Sequence, residues 1–356
     1  MKNTFMQKIQ GLLFAALFGL LPYTSQNLIA QQYGSPIAPE ITFDKSLLEP
    51  DGTFTEQSLP KFLAKAYSEK KLLNDDFSKE VCIKAKKRGV QGSFNTVQLF
   101  EVTTTCRPGP ASIYIVKEAK NGIEETINLK AIEQYPGMKE LITPHVPPKG
   151  FPNVALPIAY FSYPAGYGLH YIAAMPAAKG KVLCELVVTF RDNQSPQNEE
   201  RIKRAYKILG IELANFHRRF IHGDFHYFNV FYDEIGGHFT LIDNETIKKA
   251  ANLMSTADDT LKLFLGLFST SEPEARKDII KGIDLKKWHE LAFKSFIEGY
   301  ISTYATSEQK QVLQDLKKMF NSDEKYPWLH IDAAKLQELR TKYINPIFDE
   351  IQKGLK

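Results

Sequence analysis

The stretch Phe220–Glu245, FIHGDFHYFNVFYDEIGGHFTLIDNE, decides the reading of this chain. It packs His222, Asp224, His226, Asn229, Asp243 and Glu245 into about one supersecondary unit. Phe228, Val230, Phe231 and Tyr232 read as one short strand. Asp233-Glu234-Ile235-Gly236-Gly237 is a turn and His238 to Ile242 a returning strand, so the spacing predicts a hairpin. A hairpin brings its outer ends together, which sets Asp224 and Asn229 opposite Asp243. Two carboxylates and an amide oxygen gathered there make a hard-oxygen site of the kind Mg²⁺ prefers.

His222-Gly223-Asp224-x-His226-x-x-Asn229 followed by Ile242-Asp243-x-Glu245 resembles the catalytic and metal-binding loops of the aminoglycoside phosphotransferase/choline kinase family. The resemblance implies an α+β, bilobal protein kinase-like fold, with a small antiparallel β-sheet lobe and a larger helical lobe. It implies a kinase that uses ATP and Mg²⁺ to phosphorylate a hydroxyl of a small molecule. Asp224 would accept the hydroxyl proton, while Asn229 and Asp243 would hold the metal. Asn244 is a departure, since relatives carry an aromatic or other apolar residue there. The order of elements also matches. Ile202, Tyr206, Leu209, Leu213 and Phe216 repeat at helical spacing from Glu199 to Phe220, and Leu213-Ala214-x-x-His217 leads into the loop. His217 and His222 read as packing or organising histidines, as does His226. Asp258 or Asp259 resembles the buried aspartate that braces the catalytic loop in such kinases.

Upstream, Val97 to Val102 alternates as a strand after a turn at Gly92, where small and polar residues can lay backbone N–H groups over phosphates. Gly92, Ser93 and Asn95 resemble the family's degenerate phosphate loop. Ile113–Glu118 is a β-branched strand that carries Lys117, and Glu125 opens a helical pattern with Leu129 and Ile132. Taken alone, Lys117 is a surface residue at a strand end. The resemblance implies instead that it neutralises ATP phosphates and is positioned by Glu125, with Glu124 as an adjacent alternative. Pro144 to Pro164 reads as an irregular connection with a short strand, and Leu169–Ala174 as another strand that breaks at Met175. In the family such a break joins the lobes, which makes Met175 and Ala177 the residues at the adenine edge.

The chain has 356 residues, 43% hydrophobic and 24% charged, enough for a sizeable core. A net charge of +4 does not argue for nucleic acid, and Lys84–Arg88 (KAKKR) reads as a solvated face. Lys2 and Lys8 precede the eleven-residue apolar run Gly11–Leu21, which is too short to span a bilayer stably and describes a secretory signal peptide ending near Ala30. That predicts export or secretion, with delivery to another cell as a variant. Cys82, Cys106 and Cys184 form no metal-like spacing and read as buried or half-buried thiols, with one disulfide as the alternative. The expected division is a signal peptide over 1–30, then a linker and N-terminal helix over 31–75, the helix running from Thr55 to Leu73. A nucleotide-binding lobe over 76–175 and a helical catalytic lobe over 176–356 complete it.

Three alternatives remain from sequence. One is a zinc site built on His222, Asp224 and His226. Another is a kinase-fold binding protein without activity. The third is a protein substrate, in a protein kinase or a delivered effector; against it, the short Thr246–Ala257 segment leaves little platform for a peptide.

Overall fold

The computed structural model describes residues 41–50, 52–70, 77–91, 96–106, 112–120, 149–155, 157, 159–165, 168–269, 279–322 and 329–355. The signal-peptide run, Gly92, Ser93 and Asn95, and the Glu125 helix lie outside the described residues. The described residues fall into two units, one drawn from 1–146, 154–178 and 243–245, the other from 147–153, 179–242 and 246–356. Mixed α/β architecture with antiparallel pairing runs through both.

The first unit is a five-stranded antiparallel sheet. Its strands are β1 (Ile83–Gln91), β2 (Thr96–Thr104), β3 (Ser112–Lys120), β4 (Ala159–Ala165) and β5 (Gly168–Pro176), in the order β1-β2-β3-β5-β4. Helix α1 (Ser58–Lys70) covers it through one apolar face: Leu59, Phe62, Leu63 and Ala66 are fully buried. Phe43, Phe54, Phe62 and Phe161 pack with ring centroids 5.1–6.0 Å apart. Each fully buried Phe contributes about 1.5–3 kcal/mol, so this aromatic knot is the main anchor of α1. Gln98, buried on β2, fixes where α1 begins. Phe54 N–H donates to its Oε1 at 2.8 Å and its Nε2 donates back to the Phe54 carbonyl at 3.0 Å.

Three expectations are corrected in this unit. Residues 159–165 form a regular strand; Pro164 is tolerated there because β4 is an edge strand, where a missing N–H costs no ladder bond. Strand β5 continues through Met175 to Pro176 rather than breaking at Met175. Cys82 and Cys106 are joined in a disulfide, since the β1–β2 register pairs Ile83 with Thr104 and sets the flanking residues side by side. Cys184 is the buried free thiol, its pKa pushed up to about 12 by burial. Lys84, Lys86 and Lys87 are exposed on β1, the opposite edge of the sheet, where charge discourages pairing with another chain.

In the second unit, β6 (Lys181–Val182) leads into α2 (Leu183–Asp192), followed by the 22-residue helix α3 (Pro196–His217). Ser195 caps α3 by accepting the Asn198 N–H, with Pro196 at the first helical position. Strand β7 (Phe220–Ile221) follows, then the hairpin of β8 (Val230–Asp233) and β9 (His238–Leu241). Strand β10 (Lys248–Lys249) pairs with β7, and α4 (Ala257–Leu265) comes next. Among the described residues that follow are α5 (Leu285–Trp288), α6 (Lys294–Ile301), α7 (Thr306–Phe320), α8 (Ala333–Leu339) and α9 (Asn345–Gly354). Phe264 of α4 meets Phe293 at 4.9 Å and Phe296 at 5.1 Å between centroids, so the helical core reaches the helix that follows the loop.

Helices α3 and α6 cross at two glycines. A Cβ on Gly210 would lie 2.2 Å from the Phe296 carbonyl oxygen, and one on Gly299 would lie 2.2 Å from that of Lys207. No side chain fits at that approach, so the pair sets the depth at which α3 delivers the chain to β7. Among the described residues, no helix is long and apolar enough to cross a membrane.

Candidate active site

Helix α3 ends at His217 and β7 carries the chain into the loop 222–229, whose backbone is fixed from α4. The N–H groups of His222 and Gly223 donate to Asp259 Oδ2 and Oδ1, both at 2.7 Å. Asp259 is fully buried and also faces His217 Nε2 at 3.2 Å. A carboxylate can only accept, so His217 carries its proton on Nε2 and its Nδ1 accepts from the Tyr300 hydroxyl at 2.9 Å. Burial pushes the Asp259 carboxyl up, but the His217 hydrogen bond and the His222 N–H outweigh it and hold the pKa below its ordinary value. Of the two aspartates read from sequence, Asp259 is the one that accepts the loop N–H groups.

His222 is buried and organises the loop through both ring nitrogens. Its Nε2 donates to the Ile242 carbonyl at 2.9 Å and its Nδ1 accepts the Asp224 N–H at 3.3 Å. Burial lowers its pKa, in keeping with the neutral ring that those partners require. His226 accepts the Phe228 N–H on Nδ1 at 3.2 Å, which leaves Nε2–H facing Asp224 Oδ2 at 3.4 Å. With these nitrogens engaged inside the loop, His222 and His226 are turned away from zinc ligation. Among the described residues, no group of three or more His, Cys, Asp and Glu side chains is arranged to hold a metal ion. Gly223 has φ +82°, and a Cβ there would press on Thr246 at 2.9–3.0 Å. Thr246 Oγ1 donates to the His222 carbonyl at 2.6 Å and ties the returning chain to the loop.

Asp224 stands on this frame with its side chain 43% exposed. Asn229 Nδ2 donates to its Oδ2 at 3.1 Å and to its backbone carbonyl at 3.0 Å. Lys262 of α4 donates to the Gly223 carbonyl at 2.7 Å and lies 3.4 Å from Asp224 Oδ1. Burial raises the Asp224 pKa, but the His226 hydrogen bond and the Lys262 charge outweigh it. The group is held well below the usual carboxylate range and is an anion at neutral pH.

The hairpin follows directly. Ile242 N–H donates to the Asn229 carbonyl at 3.0 Å, so the strands close where the sequence reading requires, one residue before Asp243. Asp243 has φ +54°, the one positive φ at a non-glycine residue among those described. Aspartate tolerates this left-handed conformation better than most residues, and such backbone outliers cluster at functional sites. In the first unit, Asn244 is buried and donates from Nδ2 to the Ala155 carbonyl at 2.8 Å.

Of the other sequence-selected residues, Lys117 and Met175 lie on the five-stranded sheet. Lys117 sits on β3 in register with Val97 and Ala173, and Met175 on β5 opposite Ile115. The β4 register ends at Ala159–Ala174, so β5 runs past it at Met175, and Ala177 follows the strand. The structure brings Asp224 and Asn229 together. Lys262 was not selected from sequence, although its spacing of three from Asp259 places both on one face of α4.

No family model matches the sequence, and no curated protein matches it. Among solved structures, a similar one is WaaP in complex with acyl carrier protein. It is 13% identical, with a TM-score of 0.38 over 73% of this chain and 89% of that chain. A likeness so loose bears on neither fold nor function.

Proposed function

We propose that this protein transfers the terminal phosphoryl group of ATP to a hydroxyl of a small molecule on a kinase-like fold. The observation that carries the reading is the loop 222–229. It presents a half-exposed carboxylate, Asp224, beside the Asn229 amide, on a backbone clamped by Asp259. In this reading Asp224 orients the acceptor hydroxyl and takes its proton. A carboxylate held at such low pKa is a weak base, which suits a loose transition state in which proton transfer lags behind phosphoryl transfer.

The donor set fits a hard cation. Because Asn229 Nδ2 is spent on Asp224, its Oδ1 is the amide atom left to face a metal. Asn229 and Asp243 would hold Mg²⁺, which when bound neutralises the charge of the phosphates. Lys117, with Glu125, would serve the phosphates as well. Gly92, Ser93 and Asn95 would cover them, while Met175 and Ala177 would meet the adenine. Most of the acceleration is then positioning and charge compensation by this chain.

Export through the N-terminal apolar run belongs to the same proposal. The Cys82–Cys106 disulfide supports it, since such bonds persist in oxidising compartments.

The test is nucleotide consumption by the full chain with Mg-ATP over a panel of amino alcohols, sugars and aminoglycosides, beside Asp224→Asn. A phosphorylated acceptor formed by the wild type, with kcat roughly 10³-fold lower in the variant, is expected. Equal turnover by Asp224→Asn would remove the role assigned to that residue.

A further inference from the structure

Helix α4 holds the loop by more than Asp259. Asp259 accepts two N–H groups of the loop, and one turn later Lys262 donates to the carbonyl that follows them, that of Gly223, at 2.7 Å. One helix face therefore grips the peptide groups at 222–224 by donors and acceptor alike. The same ammonium lies 3.4 Å from Asp224 Oδ1, while Oδ2 faces His226 Nε2 at 3.4 Å and Asn229 Nδ2 at 3.1 Å. Both carboxylate oxygens thus have a partner, and the plane of the group is set. Asp258 Oδ2, at 3.4 Å, holds the lysine from its other side.

A surface lysine paired with a carboxylate contributes little, because water screens it and its stem is free to move. Lys262 is not of that kind. Its side chain is 15% exposed, and its shortest bond goes to a backbone carbonyl in the loop, a fixed point rather than a mobile partner. We propose that Lys262 is a positioning residue for the phosphotransfer assigned above, fixing the Asp224 carboxylate in the orientation that receives the acceptor hydroxyl. The role rests on that functional reading for its chemistry, but on this geometry alone for its effect on Asp224. The ammonium also stands where negative charge must be compensated while the hydroxyl loses its proton and the phosphoryl group arrives.

The experiment compares the full-length wild type with Lys262→Met, Lys262→Gln and Lys262→Arg, each checked for folding by thermal melting. Glutamine keeps a donor for the Gly223 carbonyl without the charge, and arginine keeps both. Intrinsic hydrolysis of Mg-ATP, with water as acceptor, supplies the kinetic readout. We expect kcat to fall about 10²-fold in Lys262→Met and Lys262→Gln, with KM for Mg-ATP within about twofold and Lys262→Arg within about tenfold of wild type. A Gln variant within about threefold of wild-type kcat, or a loss carried by KM, would overturn the proposal. If the wild type binds Mg-ATP yet neither hydrolyses it nor phosphorylates any acceptor of the panel, the functional reading falls and a crystal structure of Lys262→Met decides the positioning role. Displacement of the Asp224 carboxylate from Asn229 supports the role, and an unmoved carboxylate refutes it.

Discussion

Replacing Asp259 by asparagine keeps the volume and removes the charge. In the wild type, the two carboxylate oxygens take the His222 and Gly223 N–H groups at 2.7 Å each and the His217 Nε2–H at 3.2 Å. An asparagine can turn only one oxygen to these donors, so its NH₂ must face a buried N–H. One charge-assisted bond is lost and one buried donor is stranded, which together cost about 2–4 kcal/mol. For a unit of this size that is a fall of roughly 5–15 °C in Tm. The pH dependence has a definite sign. The folded Asp259 pKa is lowered, so its share of stability is present above the unfolded value of about 3.9 and is lost as pH falls through the lower folded value. Urea unfolding at pH 7 should therefore show the full gap between wild type and Asp259→Asn, and the gap should close in acid. Asp258→Asn, at the neighbouring half-exposed position, loses its ion pair with Lys262 and should change stability by no more than about 1 kcal/mol. Equal stability of wild type and Asp259→Asn at neutral pH would refute the clamp.

Gly210→Ala and Gly299→Ala should each destabilise by about 1–3 kcal/mol or more in urea unfolding, because each Cβ would lie 2.2 Å from a backbone oxygen across the α3–α6 crossing. A change below about 0.5 kcal/mol would mean that the helices separate freely. Gln98→Leu strands the Phe54 N–H and carbonyl in the first unit and should cost about 2–4 kcal/mol, read as a lower urea midpoint at unchanged slope. The Cys82–Cys106 bond spans a separation of 24 residues, so Cys106→Ala should lose roughly 3 kcal/mol of stability. Adding reductant should lower wild-type stability and leave that variant unchanged.

Much of the frame around the loop was legible because its signals are local. Gly236-Gly237 between two apolar runs announces the β8–β9 hairpin, and the repeat Ile202, Tyr206, Leu209, Leu213 and Phe216 announces α3. The parts that escaped depend on partners remote in sequence. Pro164 argues against a strand unless β4 is known to lie at a sheet edge. The disulfide requires the β1–β2 register, which an undecided hairpin does not provide. Lys262 looks like any polar-face lysine until α4 is seen against Gly223 and Asp224. Glu212 is similar: on α3 it reads as a solvated position, yet it is buried, accepts the Phe239 N–H at 2.8 Å, and burial raises its pKa well above the ordinary value. Asp259 was readable only as one of two adjacent aspartates, since helical phase at the start of α4 decides which faces the loop.

The central claim is that this chain binds Mg-ATP through the loop and hairpin that carry Asn229 and Asp243. Calorimetric titration of the full-length wild type and of Asp243→Ala with ATP, each with and without Mg²⁺, tests it most directly. The account predicts saturable binding that requires Mg²⁺ and is weakened at least about tenfold, or about 1.4 kcal/mol, in the variant. A folded wild type that takes up no nucleotide, or an Asp243→Ala protein that binds Mg-ATP as tightly as the wild type, would contradict it.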